Sequence, residues 1–262
     1  MIDAHSLEKL AQDLEIDEFT VLREYLQVQF LSRFYKNDLT RKIYFKGGTA
    51  IRFLLGSSRF SEDLDFTTEL STGIIKRAID LAVEQLGGEF PELDVKEVGV
   101  VQGYSAKLYL GTELSRQKLT IKLDFSQREE VVEPMVSPIE TVLPVGIVPL
   151  VEHLSAREIL AEKIRAVLTR KKGRDLFDFW YLLSKKIPLD LGLVQKKLEL
   201  YKKKFSMQEL MITIQEWDEK DIDQDLRRFL PVSERRIIRE LKRLILGKLS
   251  AGDDFETTTG SS

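Results

Sequence analysis

Cysteine is absent from the 262 residues, and histidine occurs only as His5 and His153. Disulfides and thiolate metal sites are thereby excluded, and so is a multi-histidine metal centre. Any catalytic metal must rest on carboxylates, and oxygen-only ligation points to Mg²⁺ or Mn²⁺. No apolar run approaches the roughly 20 residues that span a bilayer. The first residues, Met1-Ile2-Asp3-Ala4-His5, lack the basic-then-apolar layout of a signal peptide. A cytoplasmic location without a membrane partner is therefore expected. No large excess of charge exists either: the net charge is −3. Bulk charge gives no argument for nucleic-acid binding, so only a local basic face could supply one.

What is present is a globular profile, with 43% hydrophobic and 32% charged residues. The length suits one large domain or two small ones. An amphipathic helix is expected over 18–36, with Phe19, Leu22, Leu26, Phe30 and Phe34 at helical spacing. A short strand, Ile43-Tyr44-Phe45, breaks at Gly47-Gly48, where a second helix begins. Leu64-Asp65-Phe66 is strand-like, and residues 73–86 are helical up to Gly87-Gly88. β-Branched and alternating runs then predict strands at 95–101, 106–110, 119–125 and 142–148. Ser155 and Glu158 have the spacing of a capping box. Helices are expected at 155–170, 174–185, 190–203, 206–216 and 233–248. The expected fold is thus α+β. A mixed sheet flanked by helices (1–150) precedes a C-terminal helical bundle (151–250), and a polar, disordered tail covers 251–262.

Two groups of residues carry chemistry. Asp63 and Asp65, at i and i+2, share one face of a strand. Side by side they repel, unless a cation sits between them or one is protonated. A divalent ion would resolve that repulsion and bind the phosphates of a nucleoside triphosphate as well. The same pair also suits a solvated strand edge. Lys46-Gly47-Gly48-Thr49 lies between a strand and a helix, where paired glycines admit close backbone approach and helix N–H groups face an anion. An ordinary strand-to-helix turn uses double glycine too, and the spacing is not that of a P-loop.

Gly47-Gly48-Thr49, thirteen intervening residues, and Asp63-x-Asp65 together resemble the signature of the polymerase-β-type nucleotidyltransferases. The longer stretches Phe45–Arg52 and Arg59–Phe66, then Glu162-Lys163-x-x-Ala166, Arg170 and Arg174-Asp175-Leu176-Phe177-Asp178, are similar to the AbiEii/AbiGii-type toxin branch. The resemblance spans roughly residues 40–183 and leaves the remaining C-terminal helices without a motif. It implies that Asp63, Asp65 and a third carboxylate, for which Asp124 is the best candidate, hold two metal ions. The turn Gly47-Gly48-Thr49, with Lys163, holds the triphosphate. Ser61, two residues before Asp63, is a further phosphate-binding candidate and equally a turn cap. Lys163 and Asp178 are implied as a key pair beside Asp175; an inter-helix salt bridge would use the same residues.

The resemblance also implies a toxin of a toxin–antitoxin or phage-defence pair, opposed by a separately encoded antitoxin. It transfers NMP from an NTP to RNA, with the tRNA 3′ end as expected acceptor. A nucleotidyltransferase acting on a small-molecule or protein hydroxyl, or a non-catalytic nucleotide- or RNA-binding module, remains an alternative. Two basic clusters could track RNA phosphates or be solvated helix surfaces. One comprises Arg235, Arg236, Arg239, Lys242, Arg243 and Lys248 on the final helix. The other is Lys196-Lys197 with Lys202-Lys203-Lys204.

Overall fold

The computed structural model describes residues 2–100 and 102–251 and the backbone of Phe255–Glu256. It divides into two compact units, Met1–Leu154 and Ser155–Ser262. In the first, α1 (Ala4–Asp13) and α2 (Glu18–Phe34) precede β1 (Ile43–Lys46), which runs directly into α3 (Gly47–Leu55). Then follow β2 (Leu64–Thr68), α4 (Thr72–Leu86), β3 (Leu93–Val98), β4 (Tyr104–Thr112), β5 (Ser115–Ser126), β6 (Pro134–Pro138) and β7 (Leu150–Leu154). They form a seven-stranded mixed sheet in the order β3-β4-β5-β2-β1-β7-β6. The first unit includes Leu150–Leu154 because that segment pairs with both β1 and β6.

The register of the central strands is fixed by aromatic packing. Phe45 and Phe66 are cross-strand partners, and so are Phe66 and Phe125. All three rings are buried, and Phe66 stacks on Phe125 with centroids 4.7 Å apart. Phe34 of α2 and Phe53 of α3 pack on the same row. Burying each ring stabilises the unit by roughly 1.5–3 kcal/mol. A one-residue slip would turn the row to the other face, so this register is strongly specified. The neighbouring residues Lys46, Asp65 and Asp124 are thereby forced onto the opposite face.

α2 is buried on nearly every side, which suits a helix through a core rather than one lying on it. Its N-terminus is capped by Asp17, whose carboxylate accepts from the Thr20 N–H at 2.9 Å. Three of its buried polar residues, Arg23, Glu24 and Gln27, serve the segment leading to β2. Gln27 donates to the Ser61 carbonyl at 3.0 Å, and Arg23 pairs with Glu62 at 3.0 Å. Glu24 binds Arg52, whose guanidinium also donates to the Ser57 and Ser58 carbonyls and lies 3.6 Å from the Phe60 ring centroid.

The second unit is helical: α5 (Ala156–Thr169), α6 (Gly173–Ser184), α7 (Leu191–Glu199), α8 (Met207–Gln215), α9 (Glu219–Leu226) and α10 (Leu241–Ala251), with a two-residue strand β8 (Leu189–Asp190). Ser155 caps α5 by accepting the Glu158 N–H at 3.0 Å. Three sequence expectations are corrected. Val142–Val148 is irregular chain: Pro144 and Pro149 interrupt donation, and Val142, Ile147 and Val148 are exposed. The expected helix 233–248 is two pieces, a 3-10 segment (Val232–Arg239) and then α10. α7 stops at Glu199, short of 203. α1 and α9 had no counterpart in the sequence reading. Of the expected tail, Ala251 closes α10 and the backbone of β9 (Phe255–Glu256) runs parallel to β8. The rest lies outside the described residues.

Candidate active site

The sheet gathers the sequence-predicted acids across a gap of 59 positions. Asp65 on β2 and Asp124 on β5 are direct partners in a parallel pair. On the flanks, Lys46 is opposite Asp65 and Ser105 is opposite Asp124. A row Lys46–Asp65–Asp124–Ser105 therefore crosses four strands on one face. Ser105 Oγ donates to Asp124 Oδ1 at 3.1 Å. Lys46 forms a buried ion pair with Glu129. Asp63 precedes the first residue of β2, as does Ser61, so neither belongs to the strand itself. Asp63 is fixed instead through its backbone, whose carbonyl accepts the Thr49 hydroxyl.

The glycine turn abuts this row. Gly47 has φ +80°, which an L side chain rarely adopts, and a Cβ there would collide with Asp65 Oδ2. On Gly48 a Cβ would strike the Arg59 guanidinium and lie 3.3 Å from Ser61 Oγ. Gly47 is thus required by its backbone conformation and by the close approach of Asp65, and at Gly48 an added Cβ would have to displace the Arg59 guanidinium. The structure brings Ser61 beside Gly48. It changes the part of Thr49: this residue is 1% exposed and its hydroxyl is spent on Asp63. Its side chain positions the acid, leaving only its backbone for a ligand.

Among the described residues, no three acid or imidazole side chains are gathered into a ready-made metal cage. His153 is buried opposite Phe45 on β7, and His5 is exposed on α1. The donor chemistry at Asp63, Asp65 and Asp124 is nonetheless that of a hard, oxygen-seeking cation. The protein supplies one positive charge there itself. Lys122, two residues before Asp124 and on the same face, donates to Asp124 Oδ2 at 2.6 Å. Burial opposes the charged form of Lys122. The hydrogen bond and the fields of Asp124, Asp65 and Asp63 outweigh it and hold its pKa above the ordinary lysine value. A cation therefore fits this position.

The second unit contains the other predicted cluster. Lys163 Nζ on α5 lies 2.7 Å from Asp178 Oδ2 and 3.0 Å from Asp175 Oδ1, both on α6. Arg170 binds Asp175 with two nitrogens, at 2.7 and 3.0 Å. Burial pushes the Asp175 carboxyl up, but Lys163 and Arg170 together hold it well below the usual carboxylate range. The buried Glu162 faces Lys197 at 3.5 Å, and Lys197 also binds Glu158 at 2.5 Å.

The basic clusters read differently in three dimensions. Lys197 is buried, not part of a surface stripe. Lys242 and Arg235 donate to the Trp217 and Leu230 carbonyls at 2.8 and 3.2 Å. Three residues per turn in the 3-10 segment also move its side chains out of line with those of α10. Lys122 and Arg59 were not singled out from the sequence. The two-residue spacing of Lys122 and Asp124 was legible there, whereas the contact of Arg59 with Gly48 depends on tertiary packing.

A comparison with curated protein sequences gives no match. Among solved structures, the fold resembles the nucleotidyltransferase toxin MenT4 of Mycobacterium tuberculosis H37Rv, with TM-score 0.69 and 17% identity over 98% of this chain and 91% of that one. It also resembles JHP933 from Helicobacter pylori, with TM-score 0.54 and 19% identity over 90% of this chain and 96% of that one. Among the described residues, no helix is long and apolar enough to cross a membrane. Residues 29–251, spanning most of both units, match the family described as nucleotidyl transferase AbiEii toxin, type IV TA system, and the chain belongs to that family of nucleotidyltransferase toxins.

Proposed function

We propose that the chain transfers a nucleoside monophosphate from a nucleoside triphosphate to a hydroxyl of an RNA acceptor, the 3′ end of tRNA, in a metal-dependent reaction. The observation carrying this is the pairing of Asp65 with Asp124 beside the Gly47-Gly48 turn. Asp63, Asp65 and Asp124 would hold Mg²⁺ or Mn²⁺, and the chemistry that such an ion would supply there is Lewis-acid charge neutralisation.

The remaining work falls to the chain's own residues. Backbone N–H groups of Gly47, Gly48 and Thr49, at the start of α3, receive the polyphosphate with Ser61 beside them. The Thr49 hydroxyl ties that turn to the acid-bearing segment, and the Arg59 guanidinium lies beside Gly48. Lys163 supplies positive charge to the leaving group, oriented by Asp178 and Asp175. The acceptor oxygen bonds to the α-phosphorus while the bond from that phosphorus to the pyrophosphate oxygen breaks. The hydroxyl proton leaves to water. Such chemistry depends on positioning and charge neutralisation, not a covalent nucleophile. The activity would operate in the cytoplasm, as the toxin of a phage-defence pair opposed by a separately encoded antitoxin.

The test is incubation of the protein with each labelled nucleoside triphosphate, Mg²⁺ and total tRNA. Label should enter tRNA, stop with EDTA and be lost in Asp63→Ala. Undiminished transfer in that variant sinks the metal assignment. Label resistant to ribonuclease moves the acceptor to a protein or small-molecule hydroxyl. tRNA binding without any transfer makes the chain a binding module.

A further inference from the structure

Three lysines stand abreast on the site face of the first unit's sheet. Lys122 on β5 is the direct partner of Lys107 on β4, and Lys107 is the direct partner of Lys96 on β3. Partners across antiparallel strands share a face, with Cβ atoms about 4.5–5.5 Å apart. The intervening residues Ile121 and Leu108 are buried, so the lysines face away from the core. Like charges placed directly opposite one another destabilise a sheet. Only the outer two have acidic partners. Lys122 binds Asp124 at 2.6 Å, and Lys96 lies 3.6 Å from Asp94 in an exposed pair worth little. Among the described residues, the Lys107 ammonium makes no hydrogen bond or ion pair. Tyr109, two residues on along the same face, lies 5.7 Å beneath Lys96. Cations interleaved with an aromatic ring form the usual platform for single-stranded nucleic acid.

The direction of the row matters. It starts beside Asp124 and leads toward the β3 edge, away from β1 and the glycine turn. In phosphoryl-type transfer the attacking and leaving oxygens lie roughly in line on opposite sides of the phosphorus. With the polyphosphate placed on the glycine turn as proposed above, the in-line direction for the acceptor runs toward the β5-β4-β3 side. We propose that Lys122, Lys107 and Lys96, with Tyr109, form the track on which the RNA acceptor docks, phosphates on the lysines and a base on the ring. This rests on the transferase reading above and adds where the acceptor lies. A bound polyanion relieves the repulsion that the lysine row otherwise imposes on the fold.

The experiment uses the full chain with Mg²⁺ and no nucleoside triphosphate, so that binding is read without turnover. Fluorescence anisotropy with labelled total tRNA is followed across a KCl series for the parent, Lys96→Gln/Lys107→Gln and Tyr109→Leu. The double variant should bind about 10-fold more weakly or worse, with a log–log salt slope shallower by roughly 1.4–1.8 for two lost phosphate contacts. Its melting temperature should equal or exceed the parent's, since repulsion is removed; lysines with a purely structural role would lower it. Tyr109→Leu should weaken binding without altering the salt slope. Unchanged affinity and slope in the double variant overturn the track, as does a lowered melting temperature with unchanged binding. If the parent labels tRNA and the double variant shows the same KM for tRNA, the track alone fails. If the parent labels no tRNA, the transferase reading fails with it.

Discussion

The two units each hold a lysine among aspartates, and the two clusters differ in exposure and in charge balance. In the first, Lys122 lies in the field of three acids, and the Lys122 and Asp124 side chains are 33% and 41% exposed. Solvent reaches that pair. In the second, Lys163 and Arg170 face Asp175 and Asp178, so charges balance, and the Lys163, Asp175 and Asp178 side chains are 9%, 3% and 1% exposed. The first cluster is open to solvent at Lys122 and Asp124. The second is charge-balanced and ties α5 to α6. Removing a charge should therefore cost activity in the first unit, and both activity and stability in the second.

The largest effect should come from the first cluster. Asp65→Asn keeps the shape of the side chain and removes its charge. Label transfer should fall by roughly 10²–10³-fold, while the far-UV circular dichroism spectrum of the fold is retained. Transfer near the parental rate would break the contrast.

Next is Lys163→Met, which leaves two buried carboxylates without their shared cation and should cost about 3–5 kcal/mol in urea unfolding. Pairing it with Asp178→Leu should recover much of that stability, since an apolar pair can replace a buried ion pair. Transfer should stay lost. Recovery of both would make Lys163 a structural residue only.

A smaller effect is expected for Gly47→Ala. The left-handed backbone alone costs about 1–2 kcal/mol, and the new Cβ displaces Asp65, so the KM for the nucleoside triphosphate should rise. Gly73→Ala is the control, because a Cβ there meets nothing within 4 Å. Equal kinetics for the two would detach the glycine turn from the site.

The smallest effect is on acid stability. The carboxyl of Asp175 is held below its ordinary value of 3.8. Its folded form therefore binds protons less readily than the unfolded chain. The stabilisation is complete above about pH 3.8 and declines as pH falls below it. Urea midpoints for Asp175→Asn should consequently fall less steeply than the parent's over that acidic range.

Much of this was legible in the sequence, and the omissions have physical causes. The strands around Phe45, Phe66 and Phe125 are locally encoded by alternation, and Ser155 and Glu158 mark the start of α5 within four residues. Val142–Val148 has strand-like composition, but its prolines deny a ladder its donors. The basic stripe over 235–248 assumed 3.6 residues per turn throughout, and the 3-10 segment before α10 violates that.

Sequence by itself determined the chemistry that is possible: carboxylates as the metal ligands on offer, a glycine turn before a helix, and the spacings that match the AbiEii family. Only the tertiary structure decided which groups meet. It set Asp65 against Asp124 and Lys122 against Lys107 and Lys96, turned the Thr49 hydroxyl onto the Asp63 backbone, and buried Lys197 against Glu158. The reason is that strand register and helix packing are non-local. They are fixed by burying a shared row of phenylalanines and a helical core, and each polar residue is carried to whichever face that burial leaves for it.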